Sequence, residues 1–278
     1  MNPKLQALYG LKFHPFRDAP TEALLVTAAV DSFCRRIEFS LADGGFAMVT
    51  GDPGSGKSAA LRILAARLQK RNDLTVGVIE RPLGKASDFY RELGEVFGVQ
   101  MPNHNRWAGF KALRTRWAEH IASSLCRPVL IVDEAQEMIS NVFTELRLMA
   151  SKELDARSML CIVFAGDARL PERLRSDELL PLGSRIRRRL KCDPASREEL
   201  LACLDHLLEC AGAPQLMTTE LKATLAEHAA GNYRVMMNLA DELLTVGAER
   251  ELPRLDDKLY LDVFATPQPT PRSAGKRR

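Results

Sequence analysis

The stretch GDPGSGKSAALRILAARL, residues 51–68, constrains this chain more than any other part of it. Glycines at 51, 54 and 56 permit backbone angles that side chains forbid, so successive N–H groups can turn inward around an anion. Lys57 brings a positive charge to the same point, and Ser58 brings a hydroxyl. The apolar run before the loop, residues 46–50, reads as a buried strand. The segment after it reads as a helix whose positive end faces the loop. The fit to G-x-x-x-x-G-K-[ST] is complete, and its context is the expected strand, loop and helix. The alternative is a plain glycine turn. On the phosphate reading, Gly51, Asp52, Pro53, Gly54, Ser55, Gly56, Lys57 and Ser58 bind ATP. Lys57 reaches its β- and γ-phosphates, and Ser58 ligates Mg²⁺.

A second motif agrees with the first. VLIVDEAQ, residues 129–136, is four aliphatic residues ending in two adjacent carboxylates. A buried parallel strand delivers its last side chains to the carboxyl edge of a sheet, where ligands bind. Asp133 is expected in the Mg²⁺ shell with Ser58. Glu134 is expected to polarise a water for attack on the γ-phosphate, which points to hydrolysis: an ATPase, with ATP and Mg²⁺ as its cofactors. Two ordinary surface carboxylates are the competing reading.

The rest of the chain fits around this site. Short apolar runs at 46–50, 75–79, 129–132 and 159–164 alternate with helical periods, the pattern of an α/β domain built on a parallel sheet. Residues 1–192 form that domain in this reading. From 193 to 265 the texture changes to helices without strands: a stripe of Leu200, Leu204, Leu207 and Leu208 ending at Gly212, then a segment capped by Thr218 or Thr219, then one capped by Asn232. Residues 266–278, with three prolines and no apolar face, read as a disordered basic tail. The six cysteines are scattered without a metal-ligand spacing, which suits a reducing cytosol. The apolar run at 159–165 is far too short to span a bilayer, and the N-terminus lacks the pattern of a signal peptide. The expectation is a cytoplasmic protein with no membrane segment. Net charge is only +3, but RIRRRLK (185–191) and PRSAGKRR (271–278) hold basic residues with no acid between them. They read as solvated faces or as sites for anionic partners.

With phosphate loop, D-E strand, a polar residue after the next strand, an arginine before a basic strand and a helical segment in this order, the chain resembles an AAA+ ATPase over nearly its whole length. That resemblance implies a P-loop core with a parallel sheet and a small C-terminal helical lid, with the nucleotide in the cleft between them. It implies that Asp167, ending MLCIVFAGD, stands at the sensor-1 position, where Asn or Thr is commoner. It implies that Arg185 of LLPLGSRIRRRL is the finger reaching a neighbouring subunit's nucleotide, with Arg187, Arg188 and Arg189 as competing candidates. Arg234 of GNYRVMMNLADELL matches the sensor-2 arginine. Capping a helix is the other reading of Arg185, and a solvated side chain that of Arg234.

Narrower similarity is to the ExeA/TniB/TnsC group, carried by YGLKFHPF (9–16), GGFAMVTGDPGSGKS, AGDARLPERL and NYRVMMNLADELL. In that group Leu11, Phe13 and Phe16 would lie near the adenine; packing on the sheet explains them equally well. Secretion-type members continue into a transmembrane helix, which this sequence does not show, so the transposition ATPases are the branch it resembles more. The resemblance then implies ring or filament homo-oligomers on duplex DNA that bring a transposase, with or without a target-selector protein, to its target. Lys85, Arg106 and Lys111 fall near the backbone contacts of such proteins, among Arg114, Arg116, Trp107 and Trp117. Lys and Arg there would bind salt-sensitively and without sequence preference. In the bland reading Trp107, Phe110, Leu113 and Trp117 form a core stripe and the basic residues face water. The alternatives for function are a secretion-pathway ATPase, a helicase-loader type of ATPase and a nucleotide-dependent scaffold.

Overall fold

The computed structural model describes residues 3–82, 84–101, 106–153 and 156–264, with the side chains of Pro3, Lys4 and Arg106 outside that description. The basic tail also lies outside the described residues. The chain divides into two compact units. Among the described residues, one is Pro20–Ser196 with Gly231–Arg234; the other takes residues 3–19, Arg197–Ala230 and residues 235–264.

In the first unit the elements run α2 (Ala28–Phe39), β1 (Gly45–Gly51), α3 (Lys57–Gln69), β2 (Val76–Ile79), α4 (Ala86–Phe97), α5 (Arg106–Ser124), β3 (Val129–Val132), α6 (Ser140–Ala150), the short pair β4 (Ser151–Lys152) and β5 (Arg157–Ser158), β6 (Cys161–Gly166), α7 (Arg169–Arg173), α8 (Leu180–Gly183) and β7 (Ile186–Cys192). Five strands form one sheet in the order β2-β3-β6-β1-β7, and every pairing in it is parallel. All four expected strands are present. The last is displaced, starting at Cys161 rather than Met159, because the Met159 N–H donates to the Ala150 carbonyl at 2.7 Å and so leaves the ladder.

Alternation along the strands builds two cores. On one face Phe46, Met48, Leu130, Val132, Ile162 and Phe164 pack with α4, α5 and α6; on the other, Ala47, Val49, Ile131, Val163 and Ala165 pack with α2 and α3. This is the three-layer arrangement expected when parallel strands are covered on both sides. Edge strand β7 is different: Ile186 and Leu190 are buried while Arg187, Arg189 and Lys191 are exposed.

Trp107 corrects the expected core stripe of α5. Leu113 and Trp117 are buried and Phe110 packs against them, but Trp107 is 69% exposed. At 3.6 residues per turn, Trp107 lies roughly 90° around the helix from the line through the other three.

The second unit is helical: α1 (Pro3–Tyr9), α9 (Arg197–Ala211), α10 (Thr219–His228), the body of α11 (Tyr233–Glu249) and α12 (Asp257–Phe264), with one isolated bridge between Met217 and Leu255. The α9 stripe buries Leu200, Leu204, Leu207 and Leu208, and Gly212 follows it at φ +88°, a conformation glycine adopts without strain. Thr218 is the cap of α10, its Oγ1 accepting from the Leu221 N–H at 3.1 Å.

The unit boundaries differ from those read in the sequence. Residues 3–19 belong with the helices and not with the sheet. The Lys12 N–H donates to the Ala211 carbonyl at 2.9 Å, Arg17 pairs with Asp241 at 2.6 Å, and Leu11 and Phe16 are buried there. Among the described residues no helix is long and apolar enough to cross a membrane.

Candidate functional site

Sheet order brings the candidate residues to one edge. β6 lies between β1 and β3, so the carboxyl ends of three adjacent strands deliver the phosphate loop, Asp133–Glu134 and Asp167 side by side. The loop leaves β1 at Gly51 and enters α3 at Lys57. Gly54 and Gly56 take φ +85° and +95°, the left-handed region a side chain resists. Gly51 has no room for a Cβ, which would meet Ser55 Oγ and the Cys192 carbonyl at 2.4 Å. The Cys192 thiol is pushed up by burial, against a smaller opposite pull from Lys57.

Lys57 is buried to 7% exposure, and its Nζ donates to the carbonyls of Gly51 at 2.8 Å and Asp52 at 3.1 Å. Both of these acceptors are neutral carbonyls, so an anion at the loop would be the charged partner of the ammonium. Ser55 Oγ is buried without a hydrogen-bond partner, an unsatisfied group beside the amides of the loop. Ser58 Oγ lies 3.1 Å from Asp133 Oδ2. A hydroxyl and a carboxylate are hard oxygen donors, the class Mg²⁺ takes when phosphates and water complete its shell. Among the described residues there is no group of three or more His, Cys, Asp or Glu able to hold a metal by themselves. The donor set therefore fits a Mg²⁺ that arrives with a triphosphate.

Beyond Asp133 the backbone turns sharply. Glu134 adopts φ 49°, ψ 34°, left-handed for a residue with a side chain, and a 3-10 turn over Ala135–Glu137 follows. Such conformations cost on the order of 1–3 kcal/mol and cluster at functional sites. The turn brings in Gln136, whose Nε2 donates to Glu134 Oε2 and whose Oε1 accepts from the Asp167 N–H at 3.3 Å.

Asp167 is engaged by Arg169. The guanidinium meets its carboxylate at 2.7 and 2.9 Å, and the Arg169 N–H caps Oδ1 at 2.9 Å. Arg169 also bridges to Glu137 at 2.7 Å. Hydrogen bonding from Arg169 holds the Asp167 carboxyl below the usual aspartate range, with a smaller contribution from Lys57. An acid next to a phosphate site would repel the ligand, and Arg169 offsets that charge.

The segment Gly231–Arg234 closes over the loop. Asn232 Nδ2 donates to the Pro53 carbonyl at 2.9 Å, and its Oδ1 accepts the Arg234 N–H at 3.0 Å, capping α11. A Cβ at Gly54 would lie 2.1 Å from Asn232 Oδ1, and one at Gly56 would touch the Tyr233 ring at 3.7 Å. The glycines thus make room for this segment as well as for the loop's own turn. The Arg234 side chain is exposed. The Arg185 side chain donates to the Pro181 carbonyl at the end of α8, the capping arrangement.

The residues proposed for DNA stand at the starts of two helices, α4 and α5. Lys85 is exposed before α4, its N–H donating to Asp88 Oδ2 at 3.3 Å. Lys111 holds its Nζ 5.6 Å from the centre of the Trp107 ring. The side chain of Arg106 lies outside the described residues. Arg114 does not simply face water: its Nη1 donates to the carbonyls of Met149 at 2.8 Å and Ser151 at 2.6 Å, at the end of α6. Gln136, Arg169 and the Asn232 contact with Pro53 escaped the sequence reading. The visible trace of Gln136 was a polar amide two positions after the second carboxylate.

Residues 41–174 match the family model described as AAA domain. Over 248 residues the chain is 28% identical to General secretion pathway protein A of Aeromonas hydrophila, a match covering 87% of this chain and 44% of that protein. The chain thus spans less than half the length of this relative. The solved ORC2 protein of Aeropyrum pernix, in ADPNP and ADP complexes, superposes with a TM-score of 0.71 at 13% identity, over 91% of this chain and 71% of that one. Drosophila ORC bound to DNA gives 0.69 at 18%, over 94% and 65%. At such identities the likeness speaks to fold alone. Strand order and phosphate loop agree with these likenesses: residues 41–174 are similar to the AAA domain model, and the chain has an α/β P-loop fold shared with the ORC structures.

Proposed function

We propose that this chain is a Mg²⁺-dependent ATPase whose nucleotide-bound copies assemble with one another. The observation that carries the reading is the single edge on which buried Lys57, the Ser58–Asp133 pair and strained Glu134 meet. Bound Mg²⁺ would supply charge neutralisation at the phosphates, held by Ser58 and Asp133. Lys57 and the loop N–H groups grip the phosphates, and Glu134 orients and deprotonates the attacking water. Arg185 is the residue proposed to complete a neighbour's site, Arg234 to reach the phosphates from the start of α11, and Asp167 to hold the sensor-1 position.

For the partner we propose duplex DNA, with Lys85, Arg106 and Lys111 on the phosphate backbone and a transposase as the protein recruited. Exposed Lys111 beside Trp107 supports this, as does the fold shared with an ORC protein bound to DNA. A second reading, an ATPase of a secretion pathway, is favoured by the 28% identity to General secretion pathway protein A.

The deciding experiment is electron microscopy with a non-hydrolysable ATP analogue, with and without duplex DNA. Rings or filaments that need both components support the DNA reading; assembly indifferent to DNA favours the secretion reading. Glu134→Gln is the chemical test. It should bind Mg·ATP with about wild-type affinity and lose roughly a hundredfold or more in turnover, read as phosphate release. Undiminished turnover would remove Glu134 from the reaction.

A further inference from the structure

We infer that Gln136 is a positioning residue for hydrolysis: its amide holds one oxygen of Glu134 and ties that carboxylate to the end of β6. The inference rests on the hydrolytic reading above and adds a residue that reading does not use.

Gln136 is a buried amide, 5% exposed, so both ends of it need partners. The orientation is decided by chemistry. A backbone N–H can only donate, so the end facing the Asp167 N–H, 3.3 Å away, is the carbonyl oxygen. That leaves the amide nitrogen for Glu134 Oε2, an acceptor when ionised. The opposite flip would set donor against donor and lone pair against lone pair.

Three further features fix the bridge. The Gln136 backbone carbonyl accepts from the Arg173 guanidinium, which itself lies 5.5 Å over the Phe143 ring. The strained turn at Glu134 carries Gln136 back alongside its carboxylate. Gly166, the last residue of β6, leaves room for the amide: a Cβ there would lie 2.4 Å from Gln136 Oε1.

The consequence is geometric. With Oε2 engaged, Glu134 cannot swing freely, and its other oxygen is left for the water. A general base gains most from being held within a fraction of an ångström of its working position. The same amide reads the position of residue 167, so a shift at the end of β6 reaches Glu134 through two hydrogen bonds.

The test uses the full chain and three readouts: Mg·ATP turnover, affinity for a fluorescent ATP analogue, and thermal melting without nucleotide. Gln136→Ala should lower kcat about tenfold or more, with analogue affinity within about twofold of wild type. Gln136→Glu, which loses the donor and opposes a second carboxylate to Glu134, should fall at least as far. Gly166→Ala should reproduce the selective kcat loss by displacing the amide, and it carries the test if Gln136→Ala does not melt cooperatively. In melting, the losses from Gln136→Ala and Glu134→Ala should be less than additive in the double variant. Wild-type kcat in Gln136→Ala, a parallel loss of analogue affinity, or additive melting losses would each overturn the assignment. A wild-type protein that binds Mg·ATP without turnover would sink the hydrolytic reading instead, and the melting cycle would still report whether Gln136 holds Glu134.

Discussion

Arg169 neutralises Asp167 with its guanidinium and its own N–H, and that arrangement has a pH signature. Because Arg169 holds the Asp167 carboxyl below its ordinary value, the unfolded chain takes up this proton before the folded chain does. The pair therefore stabilises the fold above about pH 4, the unfolded range, and the contribution fades as pH falls through the folded value. Arg169→Ala should melt below wild type at pH 7, and the gap should narrow as the pH approaches 3. A gap constant across that range would mean that Arg169 acts through packing alone. The residues legible in the sequence were those with a spacing rule: Gly51 to Ser58, and Asp133 with Glu134. Arg169 and Gln136 were not legible as a set, because the contacts Gln136–Asp167 and Arg169–Glu137 join the ends of neighbouring β3 and β6, and no local pattern encodes strand order.

At the scale of elements, Phe164 is the pivot of one core. It lies on β6 between Phe46, stacked at 6.3 Å, and Phe143, edge-on at 5.4 Å, and is fully buried. Removing a ring so enclosed costs about 3–5 kcal/mol, the transfer term plus the cavity. Phe164→Ala should show that loss in urea denaturation, and a loss under about 1 kcal/mol would mean that the core collapses around the gap. Strands β1, β3 and β6 were readable because both faces are covered, which leaves near-continuous apolar runs. The pair β4 and β5 was not, since two residues each carry no periodicity. Trp107 misled for the opposite reason: apolar spacing alone does not fix how wide a helix's buried stripe is, and Trp107 falls beyond its edge.

At the scale of the whole molecule, the proposed assembly makes Arg185 a residue that serves another copy. In the single chain its side chain bonds the Pro181 carbonyl. Arg185→Ala should keep nucleotide binding and lose about a hundredfold or more in turnover. Mixing it with Glu134→Gln should then recover activity, since one partner supplies an intact site and the other an intact arginine. A mixture no better than the sum of its parts would confine Arg185 to its own chain.

The return of the backbone at Gly231–Arg234 limits how the molecule can be dissected. A linear fragment running from Pro20 to Ser196 would contain every strand of the sheet, the phosphate loop and both carboxylates. It would still lack the amide of Asn232 that braces Pro53. The loop is thus braced by residues that the ribosome makes only after every strand of the sheet, and after α9 and α10 of the other unit.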